Sequence, residues 1–153
     1  MPITLLGTSP DEYELKMHRL TIPLYLSRVS AGFPSPGQDY IEKSLDLNEL
    51  CIQNPAATFF ARVEGDSMIE AGIFPNDILV IDRSIQAEHG DIVVAGLYGE
   101  LTVKELETKP IARLVPHNKA YQPVIIQEDS GFEMFGVVIN VVRRIMRRKN
   151  FKP

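Results

Sequence analysis

Asp91-Ile-Val-Val-Ala-Gly-Leu97-Tyr98-Gly99-Glu100-Leu-Thr-Val-Lys-Glu-Leu106 is the stretch whose reading decides the fold. Two apolar, β-favouring runs flank the dipeptide Tyr98-Gly99, a signal for two antiparallel strands joined by a tight turn. Elsewhere prolines and glycines interrupt the chain often, and the segments between them are short. Thr58 to Val63 reads as a strand followed by the turn Glu64-Gly65-Asp66. Ile78 to Ile81 is an apolar run after the turn Pro75-Asn76-Asp77. Arg113 to Val115, Val124 to Ile126 and Phe135 to Val142 complete the set. Many short strands separated by turns predict a mainly β protein built as a coiled sheet or small barrel.

The first third of the chain is patterned differently. Residues up to Arg19 are polar and weakly periodic, and the first of them are expected to be mobile. Leu20 to Leu26 has strand-like residues but contains Pro23, which restricts it to an edge. Gly32-Phe-Pro34-Ser-Pro36-Gly37 forbids a helix or a central strand. It predicts an exposed, extended loop, and the boundary between an arm (residues 1–31) and a body (residues 32–153) is placed there. A short helix is expected from about Asp39 to Lys43. A second helical turn is expected over Leu47 to Ile52, ended by Asn54-Pro55.

With 153 residues the chain is long enough to bury a core without disulfides. Its single cysteine, Cys51, cannot form an internal bridge, which fits a reducing compartment. Cys51 reads as a core thiol rather than a nucleophile. No apolar run approaches the ~18 residues of a membrane span, and the N-terminus lacks the basic region of a signal peptide. The expected location is therefore cytoplasmic, with no membrane partner. The formal net charge is −4, with six basic and no acidic residues after Glu133. The remainder thus carries about −10, which disfavours general nucleic-acid binding. The basic tail could touch DNA or an acidic partner, or serve only as a solvated end.

Chemistry concentrates in a few residues. Gly65-Asp66-Ser67-Met68 follows a strand, and a glycine just before a tight turn lets the backbone present a serine hydroxyl. The neighbouring N–H groups of Asp66, Ser67 and Met68 could then hold an oxyanion. Alone, Gly-Asp-Ser is also a common turn. A serine needs a base. Lys104 lies on the second strand of the hairpin, on the face shared with Thr102 and Leu106 and opposite Leu101 and Val103. Burial there would lower its pKa and let a neutral amine accept a proton; an arbitrary strand lysine is more often a surface side chain. His18, His89 and His117 are scattered, and His89-Gly90-Asp91 reads as a turn before a strand. No spacing suggests a metal site, and no phosphate loop is present. No metal or cofactor is expected. In the exposed loop, the small residues Ala31 and Gly32 could admit a backbone into a narrow site.

Taken together, these features resemble the LexA-like self-cleaving serine peptidase family. Gly32 lies 35 residues before Ser67, and Lys104 lies 37 after it. Ala31-Gly-Phe-Pro-Ser-Pro36, Gly65-Asp-Ser-Met-Ile69 and Asp77-Ile-Leu-Val-Ile-Asp82 carry the likeness. So do His89-Gly-Asp-Ile-Val93, Leu101-Thr-Val-Lys104 and Phe135-Gly-Val-Val138. Phe33-Pro-Ser-Pro36 and Asp46-Leu-Asn-Glu-Leu50 are similar to the UmuD-type branch, and too few residues precede the loop for a DNA-reading domain. Ala31 stands where that branch commonly has cysteine.

The resemblance implies the LexA/signal-peptidase-like fold with a flexible arm, and a catalytic pair of Ser67 and Lys104. It implies self-cleavage of the Ala31-Gly32 bond, stimulated by RecA filaments on single-stranded DNA. It further implies a homodimer in the bacterial cytoplasm that serves a Y-family translesion polymerase subunit in the SOS response, with no sequence-specific DNA binding. The competing expectations are a non-enzymatic dimeric module of the same fold, a signal peptidase, which would need a membrane anchor, and a repressor fragment.

Overall fold

A computed structural model of the chain describes residues 3–5, 20–25, 32 and 41–147. It is mainly β, as expected. Its residues fall into two compact units. One contains β1 (Ile3–Leu5) and everything described from Asn54 onward; the other contains β2 (Ile22–Tyr25), β3 (Ile41–Leu45) and α1 (Leu47–Cys51).

The larger unit holds an eight-stranded antiparallel sheet. Its strands after β1 are β4 (Thr58–Val63), β5 (Ile78–Asp82), β6 (Ile92–Leu97), β7 (Glu100–Glu107), β8 (Arg113–Val115), β9 (Val124–Ile125) and β10 (Glu133–Val142). Their spatial order is β1-β4-β5-β10-β6-β7-β8-β9. β6 and β7 pair from Ile92↔Glu105 to Leu97↔Glu100. Tyr98 and Gly99 both take positive φ, 50° and 78°, the geometry of a primed hairpin turn. β10 is the last strand in sequence but lies between β5 and β6.

Two apolar clusters line the sheet. Ala61, Val63, Met68, Ile73, Leu79, Ile81, Val94 and Val103 form the first. Val93, Ala95, Leu97, Leu106, Leu114 and Val137 form the second. Val93/Val94 and Val103/Leu106 split between clusters because alternate side chains leave a strand on opposite faces. Gly136 sits where β10 crosses β5. A Cβ there would lie 2.7 Å from Ile81 Cγ2 and 2.9 Å from the Asp82 carbonyl oxygen.

Arg143 locks the connection between β4 and β5. Its Nε and Nη2 donate to the two carboxylate oxygens of Asp77 at 2.6 Å each. Nη2 also donates to the Gly72 carbonyl at 2.8 Å, and the guanidinium lies 4.4 Å from the Phe74 ring centre. Burial pushes the Asp77 carboxyl up, but hydrogen bonds from Arg143 and from Phe74 N–H hold it below its ordinary value.

In the smaller unit β2 and β3 form a two-stranded sheet, so Pro23 does lie on an edge strand. Asp46 caps α1 by accepting from Asn48 N–H at 2.8 Å. Three expectations are corrected. The helix placed at Asp39 to Lys43 is strand from Ile41 onward, because Ile22–Tyr25 supplies a partner that local propensity cannot reveal. Ile3–Leu5, for which no strand was expected, pairs with Ala61–Val63 at the β4 edge. Cys51 is only half-buried and belongs to neither core cluster. Ala31, residues 6–19 and the end of the basic tail (Arg148, Lys149, Lys152) lie outside the described residues.

The close approach at Gly136 gives a stability test. Gly136→Ala should lower unfolding stability by about 1–3 kcal/mol, since the obstacle includes backbone. The midpoint of urea unfolding measures it; an unchanged midpoint would show that the strands separate at no cost.

Candidate active site

Ser67 stands in the turn after β4. Gly65, with φ 82°, turns the chain in a conformation that side chains rarely adopt. A 3-10 turn, Ile69–Ala71, follows and is closed by Gly72 in the left-handed region. Ser67 is completely buried, and its Oγ has no hydrogen-bond partner among the described residues. An unsatisfied buried hydroxyl is costly, about 1–3 kcal/mol, and such groups concentrate where function requires them.

The residues on either side of Ser67 are secured instead. Met68 is fully buried in the first core cluster. Its carbonyl accepts from the N–H groups of Ala71 and Ile73 at 3.0 and 3.2 Å. The Asp66 carbonyl accepts from Ile69 N–H at 3.3 Å and from Asn118 Nδ2 at 3.0 Å. Asp66 Oδ1 accepts from the Tyr121 hydroxyl at 2.6 Å. Among the described residues, the N–H groups of Asp66, Ser67 and Met68 donate to no backbone carbonyl across these turns.

Lys104 lies on β7 opposite Val93 of β6 and is 8% exposed. Its Nζ donates to Thr102 Oγ1 at 2.7 Å and to the Val103 carbonyl at 3.0 Å. The Thr102 contact matches the shared face expected from the strand period. Burial lowers the pKa of the amine from its ordinary 10.5. A neutral amine has two N–H bonds and one lone pair. With two acceptors serving the two N–H bonds, the lone pair can receive a proton.

Ser67 and Lys104 are both buried residues of the larger unit, and their chain neighbours Met68 and Val103 share one apolar cluster. No hydrogen bond joins the two side chains. Gly32 is exposed and belongs to the smaller unit. His89 Nδ1 accepts from Thr108 N–H at 3.0 Å, beside the turn expected at His89-Gly90. Among the described residues no group of three or more His, Cys, Asp or Glu side chains could hold a metal ion, and no helix is long and apolar enough to cross a membrane. The sequence did not single out Asn118 or Tyr121. Their Pro116-His-Asn-Lys-Ala-Tyr121 segment reads only as a polar loop, and nothing in it points to Asp66.

The chain belongs to the Peptidase S24-like family, whose model matches residues 23–139, a family of self-cleaving serine peptidases. Within it the chain is of the UmuD type. It is 48% identical over 140 residues to protein SamA of Salmonella typhimurium, covering 92% of this chain and 96% of that one. It is 48% identical over 119 residues to protein MucA of Escherichia coli, covering 77% and 82%. The LexA repressor of Carboxydothermus hydrogenoformans is 39% identical over 146 residues, covering 90% of this chain and 69% of the repressor.

The depressed pKa of Lys104 has a consequence for stability. Between the lowered folded value and 10.5 the unfolded chain binds the proton that the folded chain releases, so falling pH favours unfolding. Below that window both states are charged and the loss is complete. Lys104→Met, compared with its parent in a Ser67→Ala background, should gain relative stability as pH falls through the window. The gain is at most about 1.4 kcal/mol per pH unit. Urea unfolding from pH 10.5 downward measures it, and parallel curves for the two proteins would mean that the amine is not desolvated.

Proposed function

We propose that the chain is an autoproteolytic serine endopeptidase in which Ser67 is the nucleophile, Lys104 the general base and Ala31-Gly32 the bond cut. The observation that carries this reading is the fully buried hydroxyl of Ser67, without a hydrogen-bond partner among the described residues, in a protein that also buries the amine of Lys104.

In the proposed reaction the neutral Lys104 amine takes the Ser67 proton as Oγ attacks the Ala31 carbonyl carbon. The backbone N–H groups of Asp66, Ser67 and Met68 hold the oxyanion. The Lys104 ammonium then protonates the Gly32 nitrogen as the C–N bond breaks. A water attacks the Ala31 ester, giving one proton to Lys104, and Ser67 recovers its proton when Ala31 leaves as a carboxylate. Because bond and nucleophile share one chain, effective concentration replaces binding affinity. Residues 1–31 are released and residues 32–153 remain.

The likeness to SamA and MucA supports a biological setting for this cut. The protein is a cytoplasmic bacterial homodimer whose cleavage is promoted by RecA filaments on single-stranded DNA. The trimmed form is an accessory subunit of a Y-family translesion polymerase in SOS mutagenesis. Regulation is then a shift in how often the loop occupies the site.

Purified protein held at alkaline pH should yield a fragment beginning at Gly32, detected by intact mass. The rate should rise from pH 7 towards 10, because deprotonation arms Lys104. Ser67→Ala should abolish the cut, and Lys104→Ala should slow it by about 10²–10⁴-fold, each in a folded protein. An intact chain after prolonged incubation would favour a binding module that keeps the fold without the chemistry. Cutting that persists in either variant would remove that residue from its role.

A further inference from the structure

Between β8 and β9 the chain makes a polar loop, His117 to Tyr121, that reaches both the nucleophile's turn and the strand of the base. Towards the turn, the His117 carbonyl accepts from Glu70 N–H at 2.9 Å. Asn118 Nδ2 and the Tyr121 hydroxyl hold the Asp66 carbonyl and carboxylate at 3.0 and 2.6 Å. Towards the base, His117 Nε2 pairs with Glu105 Oε2, and Glu105 is the residue after Lys104. The loop is braced internally. Asn118 Oδ1 accepts from Ala120 N–H at 3.0 Å, and its carbonyl accepts from Tyr121 N–H at 3.1 Å.

We propose that this loop is a clamp that sets the position of Ser67, with Asn118 and Tyr121 as positioning residues for the cleavage reaction. The proposal rests on Ser67 being the nucleophile. Among the described residues nothing hydrogen-bonds to Ser67 Oγ, so its placement depends on the atoms that flank it. On the Met68 side the core supplies the hold. Asp66 is exposed and has no such packing, so apart from the long bond from Ile69 N–H its constraint comes from Asn118 and Tyr121. The Asn118 contact, made to the Asp66 carbonyl, also fixes the peptide plane between Asp66 and Ser67, and with it the Ser67 N–H proposed to hold the oxyanion; the Tyr121 contact holds the Asp66 side chain. Small displacements of reacting groups have large kinetic effects. The hydrogen bond to Asp66, and the charge of Asp66, hold the Tyr121 phenol above its ordinary value of 10.0. The phenol therefore keeps the proton it donates to Asp66 at pH values below its ordinary 10.0.

The test uses the full chain with Tyr121→Phe, Asn118→Ala and both together. Two rates are followed from pH 7 to 10, well below the unfolding temperature: self-cleavage, and labelling of Ser67 by a fluorophosphonate. Each single variant should lose about tenfold in both rates, and the apparent pKa of the pH–rate profile should not move. Parent-like rates in the double variant would overturn the clamp. So would a shifted apparent pKa, which would place the effect on Lys104, or a rate loss matched by loss of folded protein at the assay temperature. A parent that neither cleaves nor labels would instead refute Ser67 as the nucleophile and take the clamp with it.

Discussion

Lys104 brings an amine into a sheet whose neighbouring positions are apolar: Val93 across the hairpin and Val103 beside it on the same strand, both fully buried. Water cannot solvate an ammonium there, so the charged form is disfavoured and the pKa falls. Among the described residues the Lys104 Nζ donates to a threonine hydroxyl and a peptide carbonyl, and neither is an anion. A carboxylate in their place would stabilise the ammonium and raise the pKa again. β7 does carry carboxylates, but Glu105 faces the other way and is engaged by His117. Strand alternation thus keeps an acidic neighbour in sequence from becoming an acidic neighbour in space.

Ser67 obeys the opposite rule. The turn around it is tied down on both sides, while its own hydroxyl is left unsatisfied. The cost of that vacancy is borne by Met68, whose side chain fills the first apolar cluster, and by the Arg143–Asp77 lock on the rest of the connection between β4 and β5. Asp77 can remain ionised although buried because Arg143 meets both of its oxygens. The Asp77 charge is compensated, whereas burial disfavours the charged form of Lys104. The difference lies in whether a partner of opposite sign was placed beside it.

How much of this was legible in the sequence depends on how local each determinant is. The hairpin of β6 and β7 was readable because its pattern and its Tyr98-Gly99 turn are contiguous, and the same period placed Lys104 with Thr102. β4 and β5 were readable as apolar runs bounded by turns. Ile41 to Lys43, part of the helix expected from about Asp39, was misread because Glu42 and Lys43 favour helix, whereas the strand Ile41–Leu45 exists through pairing with Ile22–Tyr25, about twenty residues upstream. Ile3–Leu5 is too short to announce itself without β4 as a template. The contacts of Asn118 and Tyr121 with Asp66 span 52 and 55 residues, and no periodicity encodes such a pairing.

Sheet order also decides when the site can exist. Ser67 follows β4, Lys104 sits on β7, and the loop that reaches Asp66 leaves β8. In the sheet, β4 and β5 stand on one side of β10, and β6, β7 and β8 stand on the other. β10 is the last strand made, and it pairs with β5 and β6 at once. Without it the two halves have no hydrogen-bonded connection in the sheet order, and the first apolar cluster and the hydrogen bonds of the His117–Tyr121 loop would be left to join them. Gly136 is where this joint is tightest, since only a residue lacking Cβ lets β10 lie against Ile81 and Asp82. Arg143, immediately after β10, then reaches back to Asp77 and Gly72 in the connection that follows the serine. The C-terminal strand therefore completes both the sheet and the support of the turn that carries Ser67.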